Sequence, residues 1–342
     1  MGIREDWNDK ILIFDGGMGS LLQGAGLKPG ELPETWNIKH PEVLVKIHED
    51  YLNAGANIIL SNTFGANRLK YNETAEFNLD EIVDAAMKNA RTAVEHCGRG
   101  YVALDLGPTG RLLKPMGDLD FEEAVSIYTE VVKAGVRGGA DLILIETMSD
   151  TYELKAAVLA AKENSDLPIF ATTIFDGKGK LLTGGTPKSV VALLEGLGVD
   201  ALGINCGLGP VQMKPIVEEL LRYASIPVVV NPNAGLPRSE SGKTVFDVGA
   251  GLPRSEGGKT VYDIDPPEFV EEMKGMLEMG VSAVGGCCGT TPEHIRLLAE
   301  MCKGRTRKPI EPKNDTLITS YASVVEMGTD PGISGGRVTP RG

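Results

Sequence analysis

The sequence lacks the features of a membrane-spanning or secreted chain. Its 342 residues contain no run of roughly 18 to 20 uncharged apolar residues, which is the length that a membrane helix needs. The start, MGIREDWNDK, carries charges with no apolar segment after them, so no signal peptide is predicted. We therefore expect a soluble, cytoplasmic protein without a membrane partner.

Basic residues and cysteines are also few. Lys and Arg number 34 against 47 Asp and Glu, the net charge is -13, and no basic cluster is denser than GRTRK near the end. This balance argues against nucleic acid as a partner. The five cysteines are an odd number, and in a reducing compartment we expect free thiols or metal ligands instead of a disulfide framework.

The sequence does contain a regular alternation of strands and helices. Eight short apolar runs each end in a polar or glycine-rich turn and are followed by helical spacing. The runs lie at residues 11–17, 56–64, 101–108, 140–148, 167–175, 199–207, 226–235 and 281–289. They predict an α/β fold, a (β/α)8 TIM barrel with a parallel eight-stranded sheet. The alternative, an open doubly wound sheet, should show GxGxxG after its first strand, where this chain has DGGMGS.

Polar and thiol side chains gather at the predicted carboxyl ends of the strands, where barrel enzymes build their sites. No histidine and no lysine falls at these ends, which disfavours a His-ligated metal and a Schiff-base aldolase. The residues at these ends are Asp15, Asn62, Thr63, Asp105, Glu146, Thr147, Thr172, Thr173, Asn205, Cys206, Asn231, Asn233, Cys287 and Cys288.

Three cysteines occupy two of these strand ends. Cys206 follows the sixth strand, and Cys287 and Cys288 follow the eighth, so one strand separates them around the rim. Thiolates suit Zn²⁺, and three protein ligands leave the fourth tetrahedral position open, as in catalytic sites. Such a site holds a substrate thiolate, and it therefore predicts thiolate alkylation and not hydrolysis. The alternative is three buried thiols, because free cysteine is commonly packed in cores.

Five motifs then identify a family. DGGMGS, SNTFGAN, ETM, GINCG and GGCCGT, in this order, resemble the homocysteine S-methyltransferase family, and most closely the homocysteine-binding barrel of its cobalamin-dependent members. The resemblance covers about residues 10–305. It implies a zinc that activates the homocysteine thiolate for methylation to methionine. The implied zinc-binding, catalytic residues are Cys206, Cys287 and Cys288, and the implied substrate-binding residues are Asp15, Gly16, Gly17 and Glu146.

The chemistry of an amino acid agrees with these positions. Carboxylates bind an α-ammonium group, and backbone N–H groups bind an α-carboxylate. Glu146 ends an otherwise apolar strand, where burial without a partner is costly, and this favours a functional role. The alternative for Asp15 is a turn or cap residue. Asn233 is a further candidate for substrate binding, although asparagine beside proline is also common in loops.

The last residues of the chain suggest how its domains are organised and which modules are its partners. Residues 1–305 are predicted to form the homocysteine-binding barrel, and residues 306–342, rich in Pro, Gly and polar residues, an extended linker tail. The last segment, ISGGRVTPRG, resembles the start of the folate-binding domain that follows in cobalamin-dependent members. The implied methyl donor is methylcobalamin on another module, with corrinoid-binding and folate-binding modules as partners. The alternatives are a betaine- or S-methylmethionine-dependent methyltransferase, and a non-catalytic barrel that binds zinc or an amino acid.

One segment occurs twice. AGLPRSESGKTVFD at 234–247 recurs as AGLPRSEGGKTVYD at 250–263, with 12 of 14 positions identical. Two copies of so short a unit indicate a tandem duplication and not a solenoid. We expect one copy to lie against the barrel and the other to extend from it, because a longer loop costs little stability. The sequence leaves open which copy contacts substrate.

Overall fold

Eight parallel strands form the centre of the structure, a computed structural model that describes residues 2–7, 10–72, 74–240, 243–246, 253–256 and 259–327. In chain order the first twelve strands are β1 (Leu12–Ile13), β2 (Ile58–Leu60), β3 (Tyr101–Leu106), β4 (Leu142–Met148), β5 (Ile169–Thr173), β6 (Ala201–Asn205), β7 (Val228–Asn231), β8 (Arg238–Glu240), β9 (Lys243–Phe246), β10 (Pro253–Glu256), β11 (Lys259–Val261) and β12 (Ala283–Val284). The sheet runs β1-β12-β7-β6-β5-β4-β3-β2, and a bridge between Phe14 and Ile58 closes it. The predicted (β/α)8 barrel is confirmed, with one barrel strand inside each apolar run.

Helices surround the barrel. Five of the described α-helices begin with proline in the first turn, where the fixed φ and the missing N–H suit a helix start. No helix in the described part of the chain is both long and apolar enough to span a membrane. The helices are α1 (Ile3–Asp6), α2 (Met18–Ala25), a 3-10 turn (Pro33–Thr35), α3 (Trp36–Lys39), α4 (Pro41–Ala54), α5 (Leu79–Cys97), α6 (Phe121–Arg137), α7 (Thr151–Asn164), α8 (Pro187–Leu197), α9 (Pro210–Tyr223), α10 (Pro266–Met279) and α11 (Pro292–Cys302).

The interior of the barrel is apolar at the amino ends of the strands. Ile3 of α1 and Trp7 lie at this end, and the Trp7 ring is 4.6 Å from that of Phe170 between centroids. Packed side chains therefore fill this end, and the polar strand ends lie opposite. The strand residues of this cluster are Leu12, Phe14, Ile58, Ala103, Leu142, Leu144, Phe170, Ala201, Val229 and Ala283.

The duplicated segment forms a two-stranded ribbon after β7. β8 pairs with β11 and β9 pairs with β10, all antiparallel, so each strand of the first copy pairs with a strand of the second. One register runs from Arg238 opposite Val261 to Phe246 opposite Pro253. The expectation that one copy lies against the barrel while the other extends from it is therefore wrong. Because the copies share their sequence, a strand finds the same partner residues in either copy.

The tail carries another hairpin. β13 (Thr316–Thr319) and β14 (Val324–Met327), both rich in β-branched residues, pair antiparallel and lie beside α8. Lys188 of α8 forms an ion pair with Glu326, and the Thr151 hydroxyl donates to the Tyr321 carbonyl at 2.8 Å. This part of the expected linker is thus folded onto the barrel. The ISGGRVTPRG segment lies outside the described residues.

Candidate metal centre and substrate cavity

Three cysteines meet at the carboxyl end of the barrel. Cys206 follows β6, Cys287 and Cys288 follow β12, and the three sulfur atoms all lie within 4.8 Å of one another. The Cys206 and Cys288 sulfurs are 3.8 Å apart. Zinc–sulfur bonds of about 2.3 Å in a tetrahedral site place two sulfurs about 3.8 Å apart. The cluster therefore fits one tetrahedral zinc.

Backbone geometry turns these cysteines toward each other. Cys206 has a φ of 56°, in the left-handed region that residues with side chains rarely adopt. Its amide donates to the Asn231 carbonyl at 3.1 Å, and the Cys287 amide donates to the Pro232 carbonyl at 2.8 Å. The end of β7 thus supports both halves of the cluster. Strained backbone of this kind is concentrated at functional sites.

Hydrogen bonds among the thiols separate their pKa values. Hydrogen bonds from Cys206 and Cys287 hold the pKa of Cys288 well below its usual range. The pKa of Cys287 lies well above its usual range, because its thiol is hydrogen-bonded to Cys206 and Cys288 and is buried. Cys288 is therefore the thiol that ionises first, and a thiolate is the form that binds metal.

A cavity of about 200 Å³ lies beside the cysteines, and carboxylates line it. Asp15, Asp105 and Glu146 follow or end β1, β3 and β4 and are all buried. Burial raises the pKa of each, that of Glu146 to about 8, and repulsion from nearby negative groups adds to the shift. No Lys or Arg is among the described residues that line the cavity. This wall is suited to a cationic ligand group.

Asn205 orients Glu146. Its side-chain nitrogen donates to Glu146 Oε2 at 3.1 Å and to the Thr147 hydroxyl at 2.7 Å. Its oxygen accepts from the Thr147 amide at 2.8 Å and from the Thr172 hydroxyl at 2.7 Å. Thr147 has a φ of 61°, and the register of β4 against β5 shifts at this point. This irregular strand end presents Glu146 to the cavity.

Backbone N–H groups lie at another side of the cavity. Gly16, Gly17 and Met18 line it, and α2 begins at Met18. The first-turn amides of a helix have no intrahelical acceptor, and the helix dipole favours an anion there. The Gly17 amide already donates to Thr290 Oγ1 at 3.1 Å. At this side of the cavity the first turn of α2 is therefore suited to an anion, while the Gly17 amide, which the sequence analysis also proposed, is bonded to Thr290.

Asn233 is not among the described residues that line the cavity. It is fully buried, and neither polar atom of its side chain has a hydrogen-bond partner among the described residues. Its backbone amide donates to the Leu208 carbonyl at 3.0 Å, two residues after Cys206. A buried amide without a partner is rare, and beside the cysteines it fits a site that receives a further group.

Two residues of this region were missed by sequence analysis. Glu34, in the 3-10 turn before α3, lines the cavity and accepts hydrogen bonds from the Gly65 amide at 2.6 Å and the Tyr71 hydroxyl at 2.9 Å. No sequence pattern marked this loop residue. Tyr262, the last residue but one of the second copy, lies with its ring against Gly289, next to Cys288. One sequence feature could have drawn attention to Tyr262: the first copy has Phe246 at the corresponding position.

Known proteins resemble this chain along most of its length. The family model for homocysteine S-methyltransferase matches residues 12–302. Methionine synthases of Mycobacterium tuberculosis and Mycobacterium leprae are each 33% identical to the chain, over 95% and 96% of it. The chain spans only 27% of the length of either relative. The metallated form of the homocysteine methyltransferase MmuM from Escherichia coli has a TM-score of 0.69 and 23% identity, over 86% of this chain and 96% of that one.

Proposed function

The chain belongs to the homocysteine S-methyltransferase family, and we propose that it is a zinc-dependent enzyme that methylates homocysteine to methionine. The observation that carries the proposal is the cluster of three thiols beside a cavity walled with carboxylates. A metal that binds sulfur and a pocket for an ammonium group together suit an amino acid with a side-chain thiol.

Cys206, Cys287 and Cys288 would hold the zinc. The bound ion would lower the pKa of a substrate thiol in the fourth position, so that the thiol reacts as a thiolate near neutral pH. The protein's part is to keep its three sulfurs at tetrahedral spacing, as the 3.8 Å separation of Cys206 and Cys288 supports. Three cysteine ligands leave one position for the substrate.

The cavity orients the rest of homocysteine. Glu146 and Asp15 are proposed to bind the α-ammonium group, and the first turn of α2 to bind the α-carboxylate. Leu60 and Phe64 also line the cavity and offer apolar contact to the two methylene groups of the substrate. Fixing both ends of the amino acid directs its sulfur to the cysteine cluster.

We further propose methylcobalamin, carried on a corrinoid-binding module, as the methyl donor. Methylcobalamin would supply the methyl group without its bonding electron pair, which would stay with the donor, and the substrate thiol would give up its proton to solvent. Residues 1–305 would be the homocysteine-binding barrel, and residues 306–342 would lead to a folate-binding domain. The relatives named methionine synthase support this organisation, as does the resemblance of residues 333–342 to the start of such a domain.

The test compares the wild type with Cys288→Ser, and uses Cys302→Ser as the control because Cys302 is buried on α11 outside the cluster. Bound zinc and methylation of homocysteine by free methylcobalamin are measured. We expect the wild type and the control to bind one zinc per chain and to produce methionine, and Cys288→Ser to lose both. Full activity in a zinc-free variant would contradict the mechanism. Methylation by betaine or S-methylmethionine alone would contradict only the donor.

A further inference from the structure

Thr290 lies where two segments of the site meet: the substrate segment, residues 15–17, and the metal turn, residues 287–290. Its hydroxyl donates to the Cys287 carbonyl at 2.7 Å and accepts from the Gly17 amide at 3.1 Å. The side chain is fully buried. One hydroxyl group thus bonds two segments that lie 273 residues apart in sequence. The reaction proposed above gives this residue no part.

Thr290 also closes the metal turn. Its amide donates to the Cys287 carbonyl at 3.1 Å, so residues 287–290 form a β-turn. Gly289, the third residue of the turn, has a φ of 80°, the left-handed value that this position of a type II turn adopts. The Cys287 carbonyl therefore accepts from both the amide and the hydroxyl of Thr290. These two bonds fix the backbone that carries Cys287 and Cys288.

The substrate segment is held on both sides of Gly17. Its amide donates to the Thr290 hydroxyl, and its carbonyl lies 3.4 Å from the hydroxyl of Tyr51, a fully buried residue of α4. The same Tyr51 hydroxyl lies 3.2 Å from the Thr290 carbonyl, so it can donate to either segment. The Gly286 amide donates to the Asp15 carbonyl at 3.0 Å. Because α2 begins directly after Gly17, these bonds set the direction of its first-turn amides.

Two glycines leave room for the Thr290 hydroxyl. A Cβ at Gly16 would lie 2.5 Å from Thr290 Oγ1, and a Cβ at Gly286 would collide with it. Neither glycine has a φ in the left-handed region, so the close approach of the hydroxyl, and not the backbone conformation, excludes a side chain. The glycines that precede both the α2 helix and the paired cysteines are thus packed around this one group.

We propose that Thr290 is a positioning residue for homocysteine: its hydroxyl fixes the metal turn, where the substrate sulfur would bind, relative to the start of α2, where the α-carboxylate would bind. This inference rests on the proposed function. Homocysteine must reach both points at once, so a shift of one against the other misplaces an end of the substrate. Loss of the hydroxyl also leaves the buried Gly17 amide without its acceptor, which is costly.

The experiment uses the full chain and compares Thr290→Val, which keeps the shape but removes the hydroxyl, with Thr290→Ser, which keeps the hydroxyl. Thr92→Val is the matched control, because the Thr92 hydroxyl donates to the Lys88 carbonyl at 2.8 Å on an exposed part of α5. Isothermal titration calorimetry measures homocysteine binding to each zinc-saturated protein, and bound zinc per chain is counted. We expect Thr290→Val to keep one zinc and to bind homocysteine about tenfold more weakly. Thr290→Ser and Thr92→Val should match the wild type.

Wild-type affinity for homocysteine in Thr290→Val would overturn the proposal. Equal weakening in Thr290→Ser would also overturn it, because the hydroxyl would then not be the group that matters. A loss of zinc from Thr290→Val would assign the hydroxyl to the metal turn alone, again against the proposal.

If Thr290→Val does not fold, Tyr51→Phe serves instead, since the Tyr51 hydroxyl lies between the same two segments. We expect this variant to bind homocysteine about 3- to 10-fold more weakly. Unchanged affinity there would count against the proposal.

None of these readouts needs a methyl donor. A wild type that binds zinc and homocysteine but forms no methionine would therefore contradict the proposed function and leave the role of Thr290 intact. A wild type that binds no homocysteine would contradict both.

Discussion

Asn205 at the end of β6 donates a 3.1 Å hydrogen bond to Glu146 at the end of β4, and thereby joins two strands that β5 separates. The carboxylate that faces the cavity is thus oriented by a neutral amide and not by a basic side chain. No lysine or arginine neutralises this group among the described residues that line the cavity, so the positive charge of a bound ligand would lower its pKa and favour the carboxylate.

Replacing Asn205 tests this arrangement. Asn205→Ala removes a partner from Glu146, Thr147 and Thr172, so we expect the KM for homocysteine to rise about tenfold and the free energy of unfolding to fall by roughly 1 to 3 kcal/mol. Steady-state kinetics and urea denaturation measure the two effects. Asn164→Ala is the control for KM, because the Asn164 side chain donates to Thr129 of α6 and Ala160 of α7, away from the cavity. An unchanged KM in Asn205→Ala would show that the network does not serve the substrate.

Glu146→Gln tests the ammonium site itself. The substitution keeps the shape and removes the charge, and a hydrogen bond between charged groups contributes about 1.5 to 3 kcal/mol. We therefore expect the KM to rise about 10- to 100-fold, with bound zinc unchanged. Glu163→Gln, at an exposed position of α7, is the matched control. A loss of zinc together with substrate binding would instead assign Glu146 to the metal.

The buried carboxylates also predict a pH dependence of stability. Burial, with repulsion from Cys288, raises the pKa of Glu146 from 4.5 to about 8, and burial and neighbouring carboxylates raise that of Asp105. In this interval the folded chain keeps protons that the unfolded chain has released. The free energy of unfolding of the metal-free protein should therefore fall as pH rises from about 5 to about 8.

Asp105→Asn should reduce this fall, by at most about 1.4 kcal/mol per pH unit, because it removes one of the groups that cause it. Urea denaturation at several pH values measures the slope. Asp166→Asn, at an exposed position, should leave the slope as in the wild type. Stability that rises with pH over this interval would refute the assignment.

Gly289 and Gly304 form a pair of glycines for a stability test. Both have a left-handed φ, 80° and 74°, but a Cβ at Gly289 would meet the Tyr262 ring, whereas Gly304 has open space. We expect Gly304→Ala to cost about 1 kcal/mol for the backbone alone, and Gly289→Ala about 1 to 3 kcal/mol more for the displaced ring. Thermal and urea unfolding measure the difference. Equal losses would mean that the ring contact contributes nothing.

The barrel could be predicted because each strand is an apolar run with its own turn and helix, and these signals are local in sequence. The meeting of Cys206 with Cys287 and Cys288 followed from topology, since carboxyl ends of parallel strands share one rim. Backbone irregularities could not be predicted in this way. The left-handed φ of Cys206 and the shifted register beside Glu146 depend on hydrogen bonds to β7 and β6, which are distant in sequence.

Pairing between the two nearly identical segments was also beyond prediction. Either copy of the duplicated unit offers the same residues, so sequence cannot decide whether each folds on itself or the two combine. Glu34 was missed for a different reason: it lies in a short turn, and its carboxylate accepts hydrogen bonds from Gly65 and Tyr71, which are distant in sequence. Its role depends on tertiary structure alone.

The pairing register of the ribbon does not depend on how many copies of the 16-residue unit the chain carries. Glu240 pairs with Lys259 across the copies, and the same register moved by one 16-residue unit would pair Glu240 with Lys243 within a single copy. In either arrangement the chain leaves the barrel through the start of one unit, at Ala234, and returns through the end of one, at Asp263. Adding or removing one whole 16-residue unit would therefore keep the pairing register and the two points at which the hairpin joins the barrel.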